Sequence, residues 1–153
     1  GSTSALGGGL YNESGSSPSL VSCTFSGNSS AGGATVTVLA GYVNVLLSIV
    51  AFDQDGYGVD IRGGYAGFDR CDVHGNAAGE WAPGDSQDGT NSNFSADPQF
   101  CSSQPDDDRF WDLQADSPCI DPPQSGGRPI GARPVSCGVV AAESATWGQS
   151  TRR

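Results

Sequence analysis

Acidic side chains crowd one stretch of this chain: Asp53, Asp55 and Asp60, followed by Asp69 and Asp72. Carboxylates, joined by Asn side chains or backbone carbonyls, are the ligands calcium takes, so Asp53, Asp55 and Asp60 form a candidate calcium set. Asp53-Gln54-Asp55-Gly56 resembles the opening of a calcium loop, but no Asp or Glu follows at the spacing that closes an EF-hand. Calcium is the one cofactor these residues suggest. The preferred reading is structural, with the same side chains holding tight turns.

Two reactions fit an acidic face of this kind. Cleavage of a polysaccharide by β-elimination needs a cation to neutralise the uronate and a base to take the α proton, and Arg62, Arg70 and His74 are the basic groups nearby. An Arg base has to work against a pKa above about 12. Hydrolysis needs two carboxyl groups about 5 to 9.5 Å apart, and Asp55 with Asp60, or Asp69 with Asp72, are the available pairs. His74 is the single histidine, which removes any multi-His metal site. Between Val73 and Gly75 it is expected to face solvent or a corner. No Gly-x-Ser-x-Gly elbow and no phosphate loop is present. No residue is assigned as catalytic.

Aromatic residues offer binding rather than catalysis. Tyr11, Tyr42, Tyr57, Tyr65, Trp81 and Trp111 are spread along the chain. Rings beside Asn and Asp can stack on sugars, and Tyr57, Tyr65, Trp81 and Trp111 are the candidate glycan contacts. The alternative is that these rings fill a core. Thr35 and Thr37 alternate as on an ice-binding strand, but no other segment repeats the pair.

The elements that position these groups follow from a repeat. Leu20 to Asn28, Val45 to Asp53 and Phe68 to Asn76 share a pattern in which Cys23, Ser48 and Cys71 fall 25 and 23 residues apart. Gly-led strand candidates at Gly9-Leu10-Tyr11, Gly33-Ala34-Thr35-Val36 and Gly58-Val59-Asp60-Ile61 keep a similar period. A period this short predicts a solenoid. Alternation places Leu20, Val45 and Phe68 in one inward column, and stacking turns such columns into a continuous core. Thr35 to Val50, apolar and β-branched, is expected in a central coil covered above and below. Asn28, Asp53 and Asn76, one per coil after the third strand, form a candidate turn ladder. Gly27 and Gly75 precede two of them and Phe52 the other, so the middle coil departs from the pattern there.

Composition supports this reading. With 23 Gly and 9 Pro in 153 residues and no long apolar run, the chain is expected to be all-β, with no membrane insertion. A net charge of −10 opposes phosphate neutralisation, so nucleic acid is not an expected partner. Lys and Met are absent, and a processed product or a piece of a longer protein is expected. Five Cys without CxxC spacing suggest an oxidising compartment. Cys23 and Cys71, separated by Ser48, lie roughly 9.6 Å apart at two coil rises and are expected to stay reduced. Cys101, Cys119 and Cys137 can then form one pair, for which Cys101 with Cys119 is narrowly preferred. Asn28-Ser29-Ser30 and Asn12-Glu13-Ser14 match the glycosylation acceptor pattern.

Gly7-Gly8-Gly9-Leu10-Tyr11-Asn12, Cys23-Thr24-Phe25-Ser26-Gly27-Asn28 and Cys71-Asp72-Val73-His74-Gly75-Asn76 resemble coils of bacterial right-handed parallel β-helix repeat proteins. Phe94 to Cys101, Ala115 to Asp121 and Ile130-Gly131-Ala132 resemble the closing coils of that group, so the likeness covers residues 7 to 138. The resemblance implies a secreted or surface location and no particular activity. The expected fold is an all-β, right-handed parallel β-helix of about five short coils with a C-terminal cap. Residues 1–100 make the coils, 101–138 the closing coil and cap, and 139–153 a tail with Trp147 and a basic end. The expected function is an extracellular structural or adhesive module contacting glycans, in a longer protein or assembly. The alternative is a β-helical polysaccharide lyase or glycoside hydrolase. No segment is seen to close the first coil, so a second copy stacked end to end, or further coils, is expected there. Pro118, Pro122, Pro123, Pro129 and Pro134 are expected to blunt the opposite edge.

Overall fold

Alternation within short apolar segments builds the interior. The computed structural model describes residues 3–4, 6–102, 104, 106–122 and 126–138. In it Leu20 lies beside Val45 and Val45 beside Phe68, as the repeat predicts. The strands are β1 (Thr3–Ser4), β2 (Gly7–Asn12), β3 (Ser19–Val21), β4 (Thr24–Ser26), β5 (Ser29–Ser30), β6 (Ala34–Val38) and β7 (Tyr42–Leu46). They continue with β8 (Ile49–Ala51), β9 (Tyr57–Ile61), β10 (Tyr65–Asp69), β11 (Asp72–His74), β12 (Gly79–Trp81), β13 (Leu113–Gln114) and β14 (Val135–Cys137). Three parallel sheets stack the coils: β2-β6-β9-β12, β3-β7-β10 and β4-β8-β11. The chain is an all-β solenoid of about five turns, and no described helix is long and apolar enough to cross a membrane.

The interior is a stack of valines, Val36, Val38, Val43, Val45, Val50, Val59 and Val73, with Phe68 and Cys71 among them. Short β-branched chains fit a narrow space whose floor and ceiling are neighbouring coils about 4.8 Å away. The Trp81 ring closes this space edge-on to Phe68, at 5.1 Å between centroids.

Corners recur as regularly as strands. Ser22, Leu47, Arg70 and Ser92 take φ of 53°, 49°, 53° and 59°, one residue before Cys23, Ser48, Cys71 and Asn93. The repeat therefore continues into a fourth coil: Asn93 Oδ1 accepts from the Cys71 N–H at 3.0 Å, just as Ser48 Oγ accepts from the Cys23 N–H at 3.1 Å. At the next corner Gly27, Phe52 and Gly75 take φ of 63°, 60° and 66°. The middle coil thus departs in residue type but not in backbone. Phe52 bears the strain of a left-handed non-glycine residue, which costs about 1 kcal/mol or more.

The Gly-led strands keep their faces but not the expected register. Leu10 lies beside Val36, and Val36 beside Val59, two residues from the alignment counted on the glycines. A shift of two leaves every side chain on the same face, and the two offsets run in opposite directions, so they cancel over two coils.

The closing segment does more than blunt an end. Leu113, Cys119 and Ile130 pack with Leu47, Ile49 and Ala51 into a second apolar cluster, on the side of the stack. Gly131 N–H donates to Leu47 O at 2.8 Å and Ala132 N–H to Thr24 Oγ1 at 2.9 Å, so the closing segment around residues 130–132 lies across two earlier coils. All three residues of β8 are buried because one face meets the core and the other this cap. Cover for the apolar middle coil is therefore lateral as well as axial.

The preferred cysteine pairing is corrected. Cys101 bonds Cys137, with Cα atoms 5.9 Å apart, and Cys119 is free and buried. Cys101 N–H donates to Asp112 O, and β13 pairs with β14, which brings the two sulfurs together while Cys119 turns toward β11. Cys23 and Cys71 are free, as the column spacing predicts. Pro123 and the 139–153 tail with Trp147 lie outside the described residues.

Candidate functional site

The acidic set resolves into turn chemistry. Asp53 is 2 % exposed, and its carboxylate accepts four hydrogen bonds: from Ser30 Oγ at 2.8 Å, Thr35 Oγ1 at 2.6 Å, Asp55 N at 3.2 Å and Gly56 N at 2.8 Å. Asp53 N–H in turn donates to Asn76 Oδ1 at 3.0 Å, and Gln54 N–H donates to Asn28 O, so Asn28, Asp53 and Asn76 are linked from coil to coil. Asp55 accepts from Ser29 Oγ and Ser30 N of the previous coil, and Asp60 is paired with Arg62 at 2.7 Å. The three candidate calcium ligands thus serve separate contacts, and no group of three His, Cys, Asp or Glu comes together among the described residues.

In both carboxylate pairs each group already has a protein partner. Asp69 is forked onto Arg70, while Asp72 is fully buried one strand on. The candidate bases are likewise engaged. Arg62 is held by Asp60 and Gly32 O, and hydrogen bonding to Asp69 drives the Arg70 pKa further up, away from that of a base. His74 is half-buried, with Nδ1 3.2 Å from Ser95 Oγ and its ring edge-on to Phe52. Thr35 and Thr37 are fully buried. Both acceptor-pattern residues are buried too, Asn28 at 7 % and Asn12 at 3 % exposure, with Asn12 Nδ2 donating to Ala40 O.

Asp72 is the unusual carboxyl. Its Oδ1 accepts from Ala96 N at 3.0 Å, and its Oδ2 takes the Cys119 thiol of the cap at 3.3 Å. Desolvation pushes this carboxyl up to about 7, with the nearby Glu80 and Asp97 charges adding to it. Burial also pushes the Cys119 thiol up, and the same cause pushes Cys71 up to about 12. These thiols are packing groups.

Of the candidate glycan contacts, Tyr65 alone stands fully in the open. Trp81 packs on Phe68, Trp111 on Phe100 and Phe110, and Tyr57 is half-buried on another sheet. Tyr65 is 62 % exposed and lies beside Tyr42, 44 % exposed, in the β7–β10 register. The rings stack at 5.1 Å and 14°. The pairing was legible in principle, because the two tyrosines are 23 residues apart, one coil period.

The stack borders two clefts. One, about 450 Å³, is bounded by Tyr42, Asn44, Tyr65, Gly67, Arg70 and Asn91. The other, about 410 Å³, is bounded by Gly64, Tyr65, Asp85, Gln87, Thr90 and Asn91. Shared Tyr65 and Asn91 make them one groove. Gly67 forms part of its floor, since a Cβ there would lie 3.3 Å from the Tyr42 hydroxyl and 3.5 Å from Asn44 Oδ1. The far wall is fixed by Gln87, whose amide accepts from Phe68 N at 3.1 Å and donates to Ala66 O at 2.7 Å, replacing a strand of the fourth coil. The Asn44 side-chain amide and both phenol hydroxyls make no hydrogen bond among the described residues, while Asn44 N–H donates to Pro18 O at 3.0 Å.

Sequence reasoning missed a third cleft, of about 420 Å³, where Phe52 and Gln54 meet Gln99, Phe100, Phe110 and Gln114 of the closing segment. Residues this far apart in sequence carried no signal of meeting. The chain matches no family model, no curated protein and no solved structure.

Proposed function

We propose that this chain is an extracellular structural module of the adhesive kind, which contacts glycan through its tyrosine-lined groove. The observation that carries this reading is the in-register Tyr42–Tyr65 stack, exposed beside the Asn44 side-chain amide, which makes no hydrogen bond among the described residues. A buried core position would explain such rings, but these two stand outside it. Aromatic rings next to amides and hydroxyls suit sugars, which present both a C–H face and hydroxyl edges. A bond between Cys101 and Cys137 suits an oxidising compartment.

The structural half of the proposal rests on the sheet edges. β2, β3 and β4 each end a sheet, all on the first coil, so further coils or a second copy of this chain would continue all three ladders at once. Sedimentation across a concentration series tests self-stacking, and a single monomeric species at every concentration counts against it. Affinity electrophoresis through a panel of soluble polysaccharides tests the groove. Retardation that Tyr65→Ala abolishes is expected; migration unchanged in every polysaccharide removes the glycan reading.

A further inference from the structure

We infer that the groove selects neutral, hydroxyl-rich glycan and turns away uronate chains. This rests on the glycan reading above and adds the class of sugar. The argument begins with the charged groups bordering the groove, which are Asp69, Arg70 and Asp85. Arg70 directs Nε to Asp69 Oδ1 at 3.0 Å and a terminal nitrogen to Asp69 Oδ2 at 2.9 Å, so the one cation already holds a carboxylate in a two-pronged fork. Asp85 Oδ2 accepts from Ile61 N at 2.6 Å and brings a second carboxylate to the groove. A uronate entering here would give up water beside two carboxylates and meet no unpaired cation. Nor does a group of three His, Cys, Asp or Glu come together among the described residues to seat a bridging cation. The net charge of −10 repels polyanions at longer range.

What the groove does offer is neutral. Asn44 brings an amide that can both donate and accept, and Tyr42 and Tyr65 bring hydroxyls that can do the same. Sugar hydroxyls have this dual character, whereas a carboxylate can only accept. Tyr65 has one ring face against Tyr42, yet borders both clefts, so its other face is available to the C–H side of a pyranose.

Isothermal titration of the intact chain with neutral hexasaccharides of glucose, mannose and xylose, and with a galacturonate hexasaccharide, tests the inference. At least one neutral oligomer is expected to bind, with the galacturonate at least about tenfold weaker at low salt. Asp69→Asn, which releases Arg70, should narrow that ratio, with a thermal melt confirming that the variant is folded. Galacturonate binding equal to or tighter than every neutral oligomer overturns the selectivity while leaving the glycan reading intact. Binding of none of them overturns both.

Discussion

The two apolar clusters of this molecule are built by different rules. In the stack, each valine meets the equivalent residue one coil away, so a single period generates the whole cluster. In the lateral seam, Ile49 and Ala51 of β8 meet Leu113, Cys119 and Ile130, residues with no periodic relation to them. The seam also admits what the stack does not: a fully buried carboxyl, Asp72, facing a thiol. Asp53 is nearly as buried, but four donors satisfy it. Repetition produces saturated contacts because each coil supplies the partner of the next, whereas a segment folded back from elsewhere must accept what the coils present.

Deep truncation inside the stack should have the largest effect. Phe68→Ala removes a fully buried ring between coils and is expected to destabilise the whole chain by about 3 to 5 kcal/mol, read as one cooperative shift in the urea midpoint. If the cap melts first and the coils stay put, the stack is less cooperative than its register suggests.

Loss of the Cys101–Cys137 bond should act on the seam. Cys137→Ser opens a loop spanning 36 residues, for which chain entropy gives about 4 kcal/mol. Hydrogen exchange should rise at Leu113 and Cys119 well before it rises at Val45. Equal acceleration at both places would join the seam and the stack into one unit.

The Asp72 seam should be sensitive to pH. The carboxyl ordinarily titrates at 3.8 and sits at about 7 when folded, so the folded state binds the proton more tightly. Its contribution is fully present below about 4 and is lost as pH rises toward about 7, a change on the order of 4 kcal/mol. Asp72→Asn keeps the shape without the charge, and should melt higher than the parent at pH 8 while flattening the slope between pH 4 and 7. A parent melting profile flat over that interval would put the buried carboxyl in doubt.

The smallest expected change in stability is on the open face. Tyr65→Ala should shift the melting midpoint by less than about 0.5 kcal/mol, because an exposed ring contributes little to folding, while abolishing retardation by polysaccharide. A large loss of stability would reassign the tyrosine stack to the architecture.

Sequence periodicity determined the stack: the inward column of Leu20, Val45 and Phe68, the unpaired Cys23 and Cys71, and the corner series Asn28, Asp53 and Asn76 all follow from positions one coil apart. These are near-neighbour relations, and a constant spacing encodes them directly. The fourth coil was harder to see, because Asn91 to Phe94 keeps the corner but reduces the strand to a single bridge at Asp72 and Phe94. The acidic cluster stayed open between a turn ladder and a calcium site because composition reports which groups are near, not which hydrogen bonds occupy them. Only the tertiary structure decided that Cys101 bonds Cys137, that Cys119 reaches Asp72, and that Tyr65 rather than Trp81 or Trp111 stands in the open. The two cysteine contacts depend on how a non-repeating segment folds back across the coils, a geometry that no period along the chain contains, whereas the exposure of Tyr65 depends on which face of the stack each ring meets.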